Sequence, residues 1–232
     1  MKIMIAQPTF FPWLGYFDMI SQVDKFVILD DVNFDYQSWQ HRNNFKTSTG
    51  LKLFTVPVKK GNKKDKILDI EIANPAFTYK KLIKFCSSNY NKSKYYKNYE
   101  KDLLFTLQKG FESKSLIRLN VEIIKWFLKI LNIDTSVLYS SQMKLNSNKT
   151  FKIIDICKNL NANEYISTIG SKNYLENHKN LFINEKILLT YHRYKHPKYN
   201  QLFKPFVEYA CILDLILNEG QKSHKIINSG RL

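Results

Sequence analysis

Apolar positions in this chain form short unbroken blocks separated by longer stretches with three-and-four spacing. "KIMIA" (2–6) and "KFVILDD" (25–31) are compact apolar runs, the pattern of strands buried on both faces. Between them "LGYFDMISQV" predicts a short helix, so the chain opens as a β-loop-α-β unit. "WQHRNNFKTSTGLKLFTVPVK" (39–59) predicts a hairpin turning at Thr47–Gly50. "KKGNKKDK" (59–66) reads as a charged loop and "KILDIEIA" as a further strand. From Phe77 to about Ile130 the spacing becomes helical, with "KDLLFTLQKG" and "LIRLNVEIIKWFLKIL" carrying amphipathic stripes. Strands follow at 135–141, 164–170 and in "KILLTYHRY", with helices at 149–161 and in "SKNYLENHKNLF". "FVEYACILDLILNEG" predicts a last helix capped by Gly220, and the tail beyond Gln221 is expected to be loose.

Strands alternating with helices imply an α/β fold: a Rossmann-like, mostly parallel sheet flanked by helices. A helical insert occupies the middle of the chain, and a helix lies near the C-terminus. The expected organisation is one domain over residues 1–232, with a helical subdomain at about 75–130. The composition, 44% hydrophobic and 14% aromatic, is that of a globular chain. No apolar run reaches the ~20 residues of a membrane span, and "MKIMIAQP" is too short for a signal peptide. Cys86, Cys157 and Cys211 are odd in number and far apart, as expected of reduced thiols in a cytoplasmic protein. The net charge of +16 has two readings. One is a polyanionic partner, such as a nucleotide sugar, tRNA or an anionic membrane face. The other is compositional drift, because the excess is nearly all lysine.

The densest chemistry lies in "AQPTFFPWLGYFDMI" (6–20), where Pro8 and Pro12 exclude a helix and the aromatics stiffen a loop. In an open α/β sheet, ligands bind beyond the C-terminal ends of the strands. This loop occupies such a place, as do Asp30-Asp31 and the segment Thr168–Ser171 with Gly170 and Ser171. Convergence of the three would make the loop a preformed pocket wall. Gln7 would supply polar contacts and Trp13 and Tyr16 flat faces, while Phe10, Phe11 and Phe17 belong to the core. A second cluster, "YQSWQHRNNFK" (36–46), offers Arg42 as a bidentate clamp and Ser38, Gln40, His41 and Asn43 as hydrogen-bonding groups; Lys46 adds charge. The plain alternative is a polar edge hairpin. In a third, "YHRYKHPKYNQ" (191–201), His192, His196 and Tyr199 suit metal binding or proton transfer, with a loop histidine as acid, base or hydrogen-bonding partner the better reading. No metal is expected there, since Pro197 follows His196 and no carboxylate is near. Asp214 in "ILDLIL" reads as a buried, paired structural acid. Gln7, Trp13, Tyr16, Asp30, Arg42 and His196 are expected to line one pocket. P-loop, G-x-G-x-x-G, H-E-x-x-H and G-x-S-x-G motifs do not occur. Trp13-Leu14-Gly15-Tyr16 stands where a nucleotidyltransferase would carry H-x-G-H, without either histidine.

Together "IAQPTFFPWLGYFDMI", "DKFVILDDVNF", "SWQHRNNFKT", "FTVPV", "ISTIGSKNYL" and "YKHPKYNQLFKPFVEYACILDLILNEG" resemble the WbqC-like protein family from Ile3 to about Gly220. His41 stands where the family pattern has Asn, and "TIGS" replaces an "SGPS"-like turn. The resemblance implies a role in surface-polysaccharide, lipopolysaccharide O-antigen, biosynthesis. It further implies glycine transfer to the amine of a nucleotide-linked amino sugar. Such chemistry needs an activated glycine, as glycyl-adenylate from ATP, a thioester or glycyl-tRNA, and no other cofactor. It also needs a base and oxyanion donors. Asp30, Asp31, His41 and His196 are the candidate bases, and Arg42 and Lys46 the candidate diphosphate ligands. A cysteine-bound intermediate is not expected, since no cysteine lies in a cluster. The alternative class is a non-catalytic nucleotide-sugar-binding or scaffold protein of a glycan-assembly complex.

Overall fold

The computed structural model describes residues 1–62 and 64–232. The charged loop expected over 59–66 includes Lys63, which lies outside the described residues. Strands β1 (Lys2–Ala6) and β2 (Lys25–Ile28) flank helix α1 (Leu14–Ile20). A hairpin of β3 (Arg42–Thr47) and β4 (Gly50–Thr55) follows, then helices α2 (Pro75–Tyr90), α3 (Tyr96–Glu112) and α4 (Leu116–Ile130). The second half runs β5 (Ser136–Tyr139), α5 (Lys149–Asn159), β6 (Glu164–Thr168), α6 (Lys172–Glu176), α7 (Lys179–Asn184) and β7 (Leu188–His192). Helices α8 (Ile212–Glu219) and α9 (Ser223–Asn228) end the fold.

Five strands form one parallel sheet in the order β5-β2-β1-β6-β7, and the hairpin stands apart as a two-stranded antiparallel sheet. Side chains alternate across the parallel sheet. Ile3, Ile5, Val27 and Tyr165 face one layer, with Ile154 and Cys157 of α5, Leu175 of α6 and Phe182 of α7. Met4, Phe26, Ile28 and Ile166 face the other, built from α1, the α2–α4 group, the hairpin and α8. Both faces are covered, which explains the unbroken apolar runs of the sequence. From β1 the chain steps outward through β2 to β5, then crosses back to β6 and β7 on the other side. The direction of winding therefore reverses between β1 and β6, and a crevice opens beyond their C-terminal ends.

Four expectations are corrected. Residues 66–73 form a 3-10 turn at Ile67–Asp69 with isolated bridges, not a strand. Their backbone groups go to several partners: Ile67 N–H to Val32, Leu68 N–H to Asp30 and Ile72 N–H to Lys114. The helix expected over "SKNYLENHKNLF" is broken into α6 and α7. The last long helix starts at Ile212, not Phe206; the N–H groups of Cys211 and Ile212 are drawn to the carbonyls of Asn44 and Pro12. Gly220 does cap it, at φ +56°.

The fourth correction concerns the tail, which is not loose. It forms α9, buries Ile227 fully, and pairs Arg231 with Tyr194 in a bridge. The Arg231 guanidinium donates to Asp18 Oδ1 from Nη2 at 2.8 Å and from Nε at 3.1 Å. Asp18 is fully buried on α1 and also meets His192 Nε2 at 2.7 Å. Burial alone would raise the Asp18 carboxyl. Hydrogen bonds from His192 and Arg231, with their charges, outweigh it and hold the group below the ordinary carboxylate range. Because the folded value lies below the unfolded one, this pairing stabilises fully above the unfolded carboxylate value of about 4. It is lost as pH falls through the folded value. Arg231→Ala should therefore cost about 1–2 kcal/mol, a charged hydrogen bond discounted for the part-exposed guanidinium. Urea denaturation of both proteins at pH 7 and pH 3 checks this: the gap narrows in acid, and an unchanged midpoint at pH 7 contradicts it.

Candidate functional site

The switch-point crevice is a cleft of about 1330 Å³. Ala6 and Gln7 enter it from the end of β1, Asp31 from the end of β2, and Ser167 and Thr168 from the end of β6. The segment Leu145–Lys149 and Lys152 of α5 close the other side.

One wall is the loop from Gln7 to Trp13. Pro8 and Pro12 offer no N–H, and the loop is packed into the core, so its carbonyls need donors from elsewhere. Two side-chain amides supply them. Asn120 Nδ2 of α4 donates to Pro8 O at 3.2 Å and to Gln40 O at 2.7 Å. Asn43 Nδ2 of β3 donates to Phe10 O at 3.0 Å and Phe11 O at 2.8 Å. Phe11 is held at φ +44°, a left-handed conformation costly for a phenylalanine and sustained by this bracing. Phe10, Phe11 and Phe17 are fully buried core. Tyr16 lies under the wall and donates to Gln7 O at 3.1 Å, its phenol raised far above its usual value by burial. The Trp13 indole lies over Gly15, where a Cβ would stand 2.2 Å from the ring, and meets Tyr194 edge-on at 5.5 Å. At the mouth, Trp39 and Tyr209 are 52% and 58% exposed.

The charged centre of the cleft is an ion pair. Lys152 Nζ stands 2.5 Å from Asp31 Oδ2, and the Lys152 side chain is almost wholly buried. Burial would raise the Asp31 carboxyl, but hydrogen bonds from Lys152 and Ser140 and the lysine charge hold it below the ordinary range. Lys64, Lys66 and Lys149 add further positive charge around the same space.

The sequence candidates divide sharply. Gln7, Trp13, Tyr16, Asp31, Asn43 and Ser171 line the cleft. Asp30 does not; it is buried against Ser140 Oγ (3.0 Å), Ser141 N (2.9 Å) and Ser141 Oγ (2.6 Å). Gly170 is exposed between Thr168 and Ser171, outside the lining. In the hairpin cluster the polar groups are turned on one another. His41 is buried between Val56 O and Tyr36 O, Arg42 donates to Gln37 O, and Ser38 donates to Asp35 O. Gln40 Nε2 donates to Gln7 Oε1 at 2.8 Å, and Lys46 is buried with Nζ 3.2 Å from Thr47 O. His196 is buried against Tyr199, Phe206 and Tyr209, and burial lowers its pKa. Tyr199 donates to Asp214 at 2.8 Å. The expectation that Asp30, Arg42 and His196 would share a pocket with Gln7, Trp13 and Tyr16 is thus corrected. None of the three lines the cleft. Lys152, Thr9, Trp39 and Tyr209 line the cleft and escaped the sequence reading.

Comparison with known proteins agrees with this arrangement of blocks: residues 7–226 match the WbqC-like protein family. The chain belongs to that family. This WbqC-like chain is also 30% identical over 226 residues to "Uncharacterized protein Rv1507c" of Mycobacterium tuberculosis (strain ATCC 25618 / H37Rv), covering 96% of this chain and 95% of that protein. No solved structure matches it. Among the described residues, no helix is long and apolar enough to cross a membrane.

Two outcomes follow for the WbqC-like chain. Asn120→Ala orphans two buried carbonyls and should cost about 1–3 kcal/mol, read by denaturant unfolding; a loss within error contradicts the bracing. Cys86, Cys157 and Cys211 are free and buried, and burial pushes the first two thiols up to about 12 and the third well above its usual value. A thiol reagent should therefore label none in the folded protein at pH 8 and all three in denaturant.

Proposed function

We propose that the chain is a transferase of surface-polysaccharide (O-antigen) assembly that joins glycine to the amine of a nucleotide-linked amino sugar held in the switch-point cleft. The observation that supports it most is the cleft itself. It offers exposed aromatic rings, Trp39 and Tyr209, together with one buried lysine, Lys152, and the exposed Lys64, Lys66 and Lys149. Such a site suits a ligand with a flat ring at one end and an anionic group at the other. The family's implied association with glycan clusters points the same way.

In this reading the sugar amine attacks the carbonyl of an activated glycine, glycyl-adenylate or glycyl-tRNA. The new C–N bond forms, the C–O bond to AMP or tRNA breaks, and the ammonium proton passes to solvent. Asp31 orients the amine by accepting a hydrogen bond from it. Its depressed pKa suits a counter-ion better than a strong base. That same fact supports the second reading, a non-catalytic nucleotide-sugar-binding or scaffold protein. Among the described residues lining the cleft, Asp31 is the one carboxylate and there is no histidine.

Mass spectrometry of an amino-sugar nucleotide incubated with glycine and ATP, or with glycyl-tRNA, separates the two. A product heavier by one glycyl residue establishes transfer. Binding without product across a panel of sugars favours the scaffold. In calorimetry, Trp39→Ala should weaken nucleotide-sugar binding by about 0.5–1.5 kcal/mol, the worth of an aromatic stack. Arg42→Ala should leave affinity unchanged, because Arg42 does not line the cleft.

A further inference from the structure

We infer that the corner of the cleft where Lys152 meets the first turn of α5 is a diphosphate subsite. The sugar nucleotide would then lie with its phosphates over α5, not over α1. The inference rests on the proposed function for the identity of the whole ligand, but not for the anion site itself.

The first observation is the state of Lys152. Its side chain is almost wholly buried, yet it lines the cleft. An ammonium carries three N–H donors. Among the described residues one hydrogen bond engages it, to Asp31 Oδ2. Two donors remain in a buried position, where unmet donors are costly. Ligand oxygens facing the cleft would meet them. A purely structural pair would not need to open onto a cavity, and buried pairs are poor stabilisers in their own right.

The second observation is independent of that lysine. Helix α5 is 11 residues long, and its N-cap, Asn148, makes no side-chain capping bond. The first-turn N–H groups of such a helix are free donors at the positive end of its dipole. Ser147 and Thr9 are lining residues of the cleft, and their hydroxyls are buried without a partner among the described residues. Ser147, which directly precedes Asn148, brings to the start of α5 an unpaired hydroxyl of the kind that donates to a diphosphate. Among the described residues lining the cleft, Lys64, Lys66, Lys149 and Lys152 stand against one carboxylate, Asp31, so the local charge favours an anion.

The third observation removes the usual place. In dinucleotide-binding folds the phosphates sit on the helix after the first strand, reached through a glycine-rich turn. Here that turn is the braced proline loop, α1 has only seven residues, and the Trp13 ring covers Gly15 at its start.

Titration calorimetry with inorganic pyrophosphate tests this on the whole chain. The wild type should bind it, and Lys152→Met should bind about tenfold or more weakly, the loss of one hydrogen-bonded charge. Asp31→Asn breaks the same ion pair but removes the opposing carboxylate, so it should bind as tightly as wild type or tighter. Equal weakening in both variants would mean that the pair is only structural and would overturn the subsite, as would wild-type protein that does not bind. Equal binding by wild type and Lys152→Met would also overturn it. Should Lys152→Met fail to fold by thermal melting, Ser147→Ala, which leaves the pair intact, carries the test through a several-fold loss. The transferase reading stands or falls separately, on the glycylated product, so failure of one is distinguishable from failure of the other.

Discussion

Two carboxamides, Asn43 and Asn120, set the shape on which the rest of the cleft depends. The loop after β1 contains two prolines, lies against buried aromatics and has few donors of its own. Its carbonyls at Pro8, Phe10 and Phe11 would be stranded without these side chains. Each amide comes from a different part of the chain, β3 and α4, and Asn120 also takes up Gln40 O of the hairpin approach. Ile212 N–H completes the set at Pro12 O. One short loop therefore locks the hairpin, the helical layer and α8 to the centre of the sheet. Its conformation is fixed before any ligand arrives, the condition for a wall that binds without paying an ordering cost.

The sheet was legible because its strands are buried on both faces and read as continuous apolar runs. The switch-point cleft followed from the opening β-loop-α-β unit, and the walls contributed by Gln7, Trp13 and Asp31 were visible with it. The hairpin cluster was misleading for a definite reason. A dense run such as "SWQHRNN" looks alike whether its polar groups face a ligand or one another. His41 and Gln40 prove to be bonded within the protein and Arg42 to the nearby Gln37 carbonyl, and only the spatial neighbours reveal that. Lys152 failed to stand out because a lysine inside an amphipathic helix reads as solvent face. The ordered tail was hidden by distance, since Arg231 finds its partner Asp18 at the opposite end of the chain.

The neighbouring acids Asp30 and Asp31 show how the strand end divides structure from site. Ser140 Oγ lies between them, 3.0 Å from Asp30 Oδ1 and 2.5 Å from Asp31 Oδ1. Asp30 is satisfied by neutral donors of Ser140 and Ser141 after β5, so it ties β2 to the edge strand. Asp31 is satisfied by a charge, Lys152, and ties β2 to α5. Neutral hydrogen bonds close a site, whereas an ammonium with spare donors leaves one open. The first acid therefore finishes the sheet, and the second keeps a cation at the floor of the cleft. Because α5 is held to the sheet partly through that pair, an anion bound to Lys152 would bear on the placement of α5 as well. Occupancy of the cleft and packing of the α5 layer would in this way be linked.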